Sequence, residues 1–184
     1  MAELDIRQMK IFIVNGAPRC GKTSFESYVK LEGEKYNLIV SIYSTIDFVK
    51  EVARSCGWDG SKTLRNRKFL SDLKDLLTQW DDVPFKKTLE WLEKLDVRLW
   101  ERDISAKQSV VFIDCREPSE IRKLCAVTGA KSILVRRWEA ENEETLNHAD
   151  RDVLNYDYDI LIDNNGDLEY LRQQVIKFIE KDLA

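Results

Sequence analysis

The chain has 184 residues, 43% of them hydrophobic and 34% charged, with 29 Lys and Arg against 33 Asp and Glu for a net charge of −4. That balance excludes disorder, a fibre and the general basic surface of a nucleic-acid binder. No apolar run approaches the ~20 residues of a membrane span, and the start MAELDIRQMK has no apolar signal core.

Residues 10–15 (KIFIVN) read as a buried strand, and 22–33 as a helix closed at Gly33. Residues 38–42 are a second strand. A helix over 45–56 follows, with Ser44 and Asp47 spaced as a capping box and Ile46, Val49, Val52, Ala53 and Cys56 on one stripe. Gly57-Trp58-Asp59-Gly60 breaks the chain. Residues 63–80 then carry a wide apolar face of Phe69, Leu70, Leu73, Leu76, Leu77 and Trp80, which places Trp80 in the core. Pro84 opens another helix. Residues 109–114 (SVVFID) are a third strand, Pro118 to Gly129 a short helix, and 131–135 a fourth strand. The polar segment 137–152 leads to a fifth strand at 159–163 and a last helix over 167–181.

Strands that are apolar along their length, alternating with helices, predict an α/β fold. Its sheet has five parallel strands, with helices on both faces. Residues 57–102 read as a helical insertion, and residues 1–184 as a single domain. Of the four cysteines, Cys56, Cys115 and Cys125 are expected to pack as small hydrophobes. No C-x-x-C pair exists and His148 is the only histidine, so a Cys/His metal site is not expected. Free thiols and the missing signal core place the chain in the cytoplasm.

Residues 16–23, GAPRCGKT, match G-x-x-x-x-G-K-[ST] between the first strand and its helix. Gly16 and Gly21 permit a tight loop whose amides point inward, with the helix N-terminus adding a positive dipole end. In that context Ala17, Arg19, Cys20 and Ser24 line the phosphates, Lys22 reaches the β- and γ-phosphates, and Thr23 ligates Mg²⁺. The plainer alternative is a Gly-rich turn with an exposed lysine. Cys20 has no base beside it in sequence and is not expected to be a nucleophile. Asp114 ends an apolar strand, where a carboxylate can hold Mg²⁺; its plainer alternative is a turn or cap.

Together with IDCREPSE (113–120), this loop resembles the nucleoside monophosphate kinases. The nearest likeness is to the bacteriophage-type deoxynucleoside monophosphate kinases with their adenylate-kinase-like fold. Asp114, Arg116, Pro118 and Glu120 match a D-x-R-x-P-x-E segment of those proteins. Asp159, Ile162, Asn164 and Gly166 match a D-x-x-I-x-N-x-G pattern. Asn147-His148 matches only the start of an H-x-S-E segment, and Asp150 and Arg151 depart from it.

The resemblance implies ATP and Mg²⁺ as cofactors, a lid over 137–152, and an acceptor arm in the insertion. Arg116 and Arg137 would join Lys22 in catalysis, and Arg136 would lie over ATP. Arg65, Arg67, Arg116 and Arg151 would bind the acceptor phosphate, with His148 positioning it and Tyr43, Ser44, Lys50 and Trp58 near the acceptor. Guanidinium groups suit this because they pair two phosphate oxygens at once. The Glu-rich stretch 139–144 is expected to face outward.

Two functions follow. One is ATP- and Mg²⁺-dependent phosphoryl transfer to a nucleoside or deoxynucleoside monophosphate, with small-molecule partners and no nucleic acid or membrane. It predicts a cleft lined by Arg65, Arg67 and Arg116. The other is a nucleotide-binding module or NTPase switch whose insertion contacts a protein, which predicts an exposed apolar patch there. The acceptor and the oligomeric state stay open, a dimer among the options.

Overall fold

The computed structural model describes residues 9–101, 107–141 and 152–183. β1 (Met9–Asn15) leads through a loop into α1 (Lys22–Gly33), and β2 (Leu38–Ser44) into α2 (Asp47–Ser55), α3 (Leu64–Asp81) and α4 (Val83–Glu101). β3 (Gln108–Asp114), α5 (Pro118–Thr128), β4 (Lys131–Arg136), the single turn α6 (Trp138–Glu141), β5 (Ile160–Asp163) and α7 (Leu168–Phe178) follow.

The five strands form one sheet in the order β2-β3-β1-β4-β5, and every pairing is parallel. This is the α/β architecture the strand pattern predicts. Val14 and Ser44 both lie opposite Asp114, and Arg136 lies opposite Asp163. The carboxyl ends of all five strands therefore share one edge, where open parallel sheets place their ligands.

Side-chain alternation in β1 explains its unbroken apolar run. Phe12 and Val14 enter one core with Phe25, Phe112 and Phe178, under α1 and α7. Ile11 and Ile13 enter the other with Leu92, Ile113, Ile121 and Leu124, under α4 and α5. Local signals set the helix ends. Thr63 caps α3 by accepting from the Asn66 N–H at 3.2 Å, and Asp167 caps α7 by accepting from the Tyr170 N–H at 2.8 Å. Asp47 accepts from the Ser44 N–H at 3.1 Å, one half of the expected capping box. Gly129, at φ 67°, ends α5 in a left-handed conformation that favours glycine.

Two packing expectations are corrected. Trp80 is 82% exposed, and α3 contains no buried residue. The periodicity correctly marks an apolar face, but α3 meets only its helical neighbours α2 and α4 in any extent, and they cover one strip of it. Cys56 is exposed because it lies past the end of α2, whereas Cys20 and Cys115 are buried and Cys125 is half-buried. All four are free thiols.

Candidate functional site

The residues after β1 form a loop that curls over the sheet edge. Gly16 has φ 153°, Arg19 φ 63° and Gly21 φ 99°. Side chains other than glycine adopt such values at a cost. Space is equally restrictive: a Cβ on Gly21 would collide with Nδ2 of Asn164, and one on Gly16 with the Val135 carbonyl and Cys20 Sγ. Lys22 begins α1, and its Nζ donates to the Gly16 carbonyl at 2.8 Å, so the ammonium lies across the loop. Thr23 and Arg19 are exposed, Ser24 is half-buried, and Ala17 and Cys20 are buried beneath the loop. Burial pushes the Cys20 thiol up, which suits packing and not nucleophilic attack.

Two asparagines hold this loop, and neither role is apparent in the sequence. Asn15 is fully buried. Its Oδ1 accepts from the Gly16 N–H at 2.8 Å, and its Nδ2 donates to the Arg116 carbonyl at 3.0 Å and the Tyr158 hydroxyl oxygen at 2.7 Å. Asn164 donates from Nδ2 to the Cys20 carbonyl at 2.7 Å, while its N–H donates to the Arg136 carbonyl at 2.8 Å. The loop, the segment after β3 and the turn after β5 are thereby joined. The other members of the 159–166 pattern are structural. Asp159 accepts from the Ser132 N–H and hydroxyl, both at 2.7 Å, and Ile162 is buried in the core.

Asp114 sits at the end of β3, beside β1, and its Oδ1 is buried without a hydrogen-bond partner. Glu26 supplies a second such atom. It lies one turn along α1 from Lys22 and is 3% exposed, and its Oε1 also lacks a partner. Burial pushes the Glu26 carboxyl up to about 8, with the Asp114 charge adding to the rise and Lys22 opposing it. Asp114 is raised as well, first by burial, against the pull of Lys22 and Arg116. Two carboxyls whose charges repel one another favour the neutral form of one of them, and the rise is the larger for Glu26. Glu32, on the same helix, behaves oppositely: it is buried but accepts from Arg172 Nε at 2.7 Å and from Lys35, which hold its carboxyl below the usual range. The orphaned oxygens are therefore particular to the loop end of α1. Among the described residues no group of three His, Cys, Asp or Glu forms a metal cage. Two carboxylates and a threonine do suit Mg²⁺, which keeps several waters and takes few protein ligands.

The remaining candidates are distributed along the same edge and beyond it. Lys50 donates to Asp47 at 2.8 Å, and both charges act on Asp114. Ser44 lies at the end of β2. Tyr43 stacks on Trp91 with ring centroids 4.7 Å apart, so one of its faces is covered, and burial, ahead of Asp47, pushes its hydroxyl up to about 12. Trp58 is half-buried; its Nε1 donates to the Ser61 carbonyl at 3.3 Å, and the Arg54 guanidinium lies 5.5 Å from its ring.

Arg116 is exposed just past Asp114. Arg136 ends β4, and Arg137 donates to Glu139 from Nε at 3.1 Å and Nη2 at 2.8 Å. Glu139 faces outward, as expected of the acidic stretch, with its side chain 81% exposed. His148 and Arg151 lie outside the described residues, as does most of the 137–152 segment.

Arg65 and Arg67 are exposed on the first turn of α3. Lys74, two turns on from Arg67 and so on the same face, pairs with Glu117 at 2.9 Å and Glu120 at 2.7 Å at the start of α5. This ties the middle of α3 to the start of α5; the Arg67 Nε donates to the Lys62 carbonyl at 3.2 Å, and Arg65 lies round the helix. A hollow of about 710 Å³ lined by Trp91, Glu93, Lys94, Val97 and Arg98 belongs to α4 and not to the loop.

No protein-family model matches the chain, and no curated protein matches it. Among solved structures, a sugar kinase from Janibacter sp. is 12% identical, covering 95% of this chain and 96% of that one with a TM-score of 0.48. APS kinase from Mycobacterium tuberculosis, in complex with AMPPNP and APS, is 13% identical over 95% of this chain and 99% of that one, at 0.45. Thymidylate kinase from Ehrlichia chaffeensis is 12% identical over 94% and 99%, also at 0.45.

Proposed function

We propose that this protein transfers the γ-phosphoryl group of ATP to a nucleoside or deoxynucleoside monophosphate with the help of Mg²⁺. The observation that carries the reading is the pairing, at neighbouring strand ends, of a strained phosphate-type loop with two buried and unpartnered carboxylate oxygens. A loop built only as a turn has no use for either carboxyl, since a buried polar oxygen without a hydrogen bond is costly.

In this reading the loop amides and Lys22 hold the ATP phosphates, and Lys22 exchanges the Gly16 carbonyl for a phosphate oxygen. Thr23 and Asp114 would hold Mg²⁺, which supplies charge neutralisation at the β- and γ-phosphates when bound. Glu26 faces the same charge from α1. Arg116 stands where it can contact donor and acceptor phosphates, and Arg67 approaches the acceptor from α3. Arg136 and Arg137 border the donor side, with Arg137 leaving Glu139 to do so. Lys50, Ser44, Tyr43 and Trp58 lie toward the acceptor. Such placement, with little acid–base chemistry, is what phosphoryl transfer requires. No helix among the described residues is long and apolar enough to cross a membrane, and we place the reaction on small molecules in the cytoplasm.

A second reading, a nucleotide-dependent switch that contacts another protein through the insertion, is favoured by one specific observation: Leu76 and Trp80 on α3 are exposed. A panel of ribo- and deoxyribonucleoside monophosphates with ATP and Mg²⁺, followed by ADP release, separates the two. The kinase reading expects ADP release that depends on one or a few acceptors. Slow ADP release indifferent to every acceptor would replace it with the switch.

A further inference from the structure

Position 26 of α1 holds a residue that packing alone does not call for. At about 100° per residue, Glu26 falls roughly 40° from Lys22 and roughly 60° from Thr23, inside the arc that these two loop residues span. Phe25 and Val29 are fully buried on the neighbouring face, and Glu26 itself is 3% exposed. An apolar side chain there would leave no polar atom unbonded. The carboxyl instead leaves Oε1 without a hydrogen bond, as Asp114 leaves Oδ1.

The same helix shows how this fold provides for a buried acid. Glu32, six residues further along, accepts from Arg172 Nε at 2.7 Å and from Lys35. Glu26 has no such cation bonded to it. The charges that act on it are Asp114 and Lys22, and the Lys22 Nζ donates to the Gly16 carbonyl at 2.8 Å. We propose that Glu26 is a positioning residue for Mg²⁺: together with Asp114 it accepts hydrogen bonds from the waters that the ion keeps, and so holds the ion toward Thr23.

Mg²⁺ dehydrates reluctantly and keeps several waters when only one or two protein groups bind it. Such waters turn their hydrogens outward, so each needs an acceptor. Where the surroundings are buried, the protein has to supply it. Glu26 Oε1 and Asp114 Oδ1 are two acceptors with capacity to spare, one from α1 and one from β3, both at the loop end of the sheet. The charge of the ion offsets the burial that disfavours the Glu26 carboxylate. Groups that brace a metal from behind its ligands typically contribute about 10- to 100-fold in affinity. The inference rests on the proposed nucleotide site and adds to it a side chain that the loop motif does not contain.

Calorimetric titration of the full chain with AMPPNP, once in Mg²⁺ and once in EDTA, tests it in Glu26→Gln against wild type. In Mg²⁺ the variant should bind about tenfold or more weakly. In EDTA it should bind no more weakly than wild type, because only an acid near the phosphates has been removed. A side chain that merely supports the fold would move both arms alike. Equal affinity of variant and wild type in Mg²⁺ overturns the proposal, as does an equal loss in both arms or a wild type that gains nothing from Mg²⁺. Asp114→Asn separates Glu26 from the site itself: if it loses the gain from Mg²⁺ while Glu26→Gln keeps it, the nucleotide site stands and Glu26 is removed from it. Wild type that binds AMPPNP in neither arm overturns the nucleotide reading and this inference with it. If Glu26→Gln melts below wild type, Glu26→Met, which nearly keeps the volume, is read in the same way.

Discussion

Around the phosphate-type loop, Asn15, Asn164 and Lys22 bind backbone groups from three separate segments, and one buried carboxyl oxygen each of Glu26 and Asp114 lacks a hydrogen bond. Along α3, no residue is buried, the packing is on α2 and α4 with Lys74 reaching Glu117 and Glu120, and the largest side chain points into solvent. The first region is tightly braced and carries unbonded carboxyl oxygens. The second is loosely held and carries uncompensated apolar surface. Each lacks a different kind of partner: a cation with a polyphosphate at the loop, and another apolar surface at α3.

The strongest way to break that contrast is Lys22→Ala. Loss of one charge aimed at the transferring phosphoryl group should cost on the order of 10²–10³ in kcat. Because the Nζ bonds within the loop itself, to the Gly16 carbonyl, the melting temperature should stay close to that of wild type. Wild-type turnover in the variant at saturating ATP would return the loop to an ordinary turn.

The boundary between the regions is sharpened by Arg67→Ala and Arg116→Ala. Each should lose one charge-assisted phosphate contact of about 2–3 kcal/mol, or roughly 30- to 150-fold in acceptor kcat/KM. The ATP dissociation constant should move less for Arg67 than for Arg116, since Arg67 stands on α3 and Arg116 beside Asp114. Equal losses for ATP and acceptor in Arg67→Ala would remove α3 from the acceptor side.

The smallest expected effect concerns Glu26. Between the ordinary carboxyl range near 4.5 and about 8, the folded chain keeps a proton that the unfolded chain releases. Unfolding therefore becomes easier as pH rises through that window. Glu26→Gln removes the penalty, so without metal its melting temperature should exceed that of wild type by a margin that grows from pH 5 to pH 8. A chain of this size moves ~2–4 °C per kcal/mol. Parallel melting curves at all pH values would mean that Glu26 is not held in its neutral form.

The loop and Asp114 were legible because their chemistry is encoded in local spacing: a strand, an eight-residue motif that runs into a helix, then an aspartate at a strand end. The braces were not. Asn164 reaches the loop across 144 positions of sequence, and Asn15 resembles any polar residue ending an apolar strand. Glu26, four residues after Lys22, looks in sequence like half of an exposed helical ion pair. Trp80 failed for another reason. Periodicity identifies an apolar face but not what lies against it, and here α2 and α4 cover only the opposite strip.

Hydrogen exchange with and without Mg²⁺ and AMPPNP tests most directly whether the sheet edge is the nucleotide site. Protection is predicted at residues 16–24 and around 113–116, with residues 76–80 unchanged at a fixed protein concentration. Protection confined to α3 and α4, with the loop amides exchanging as before, would contradict it.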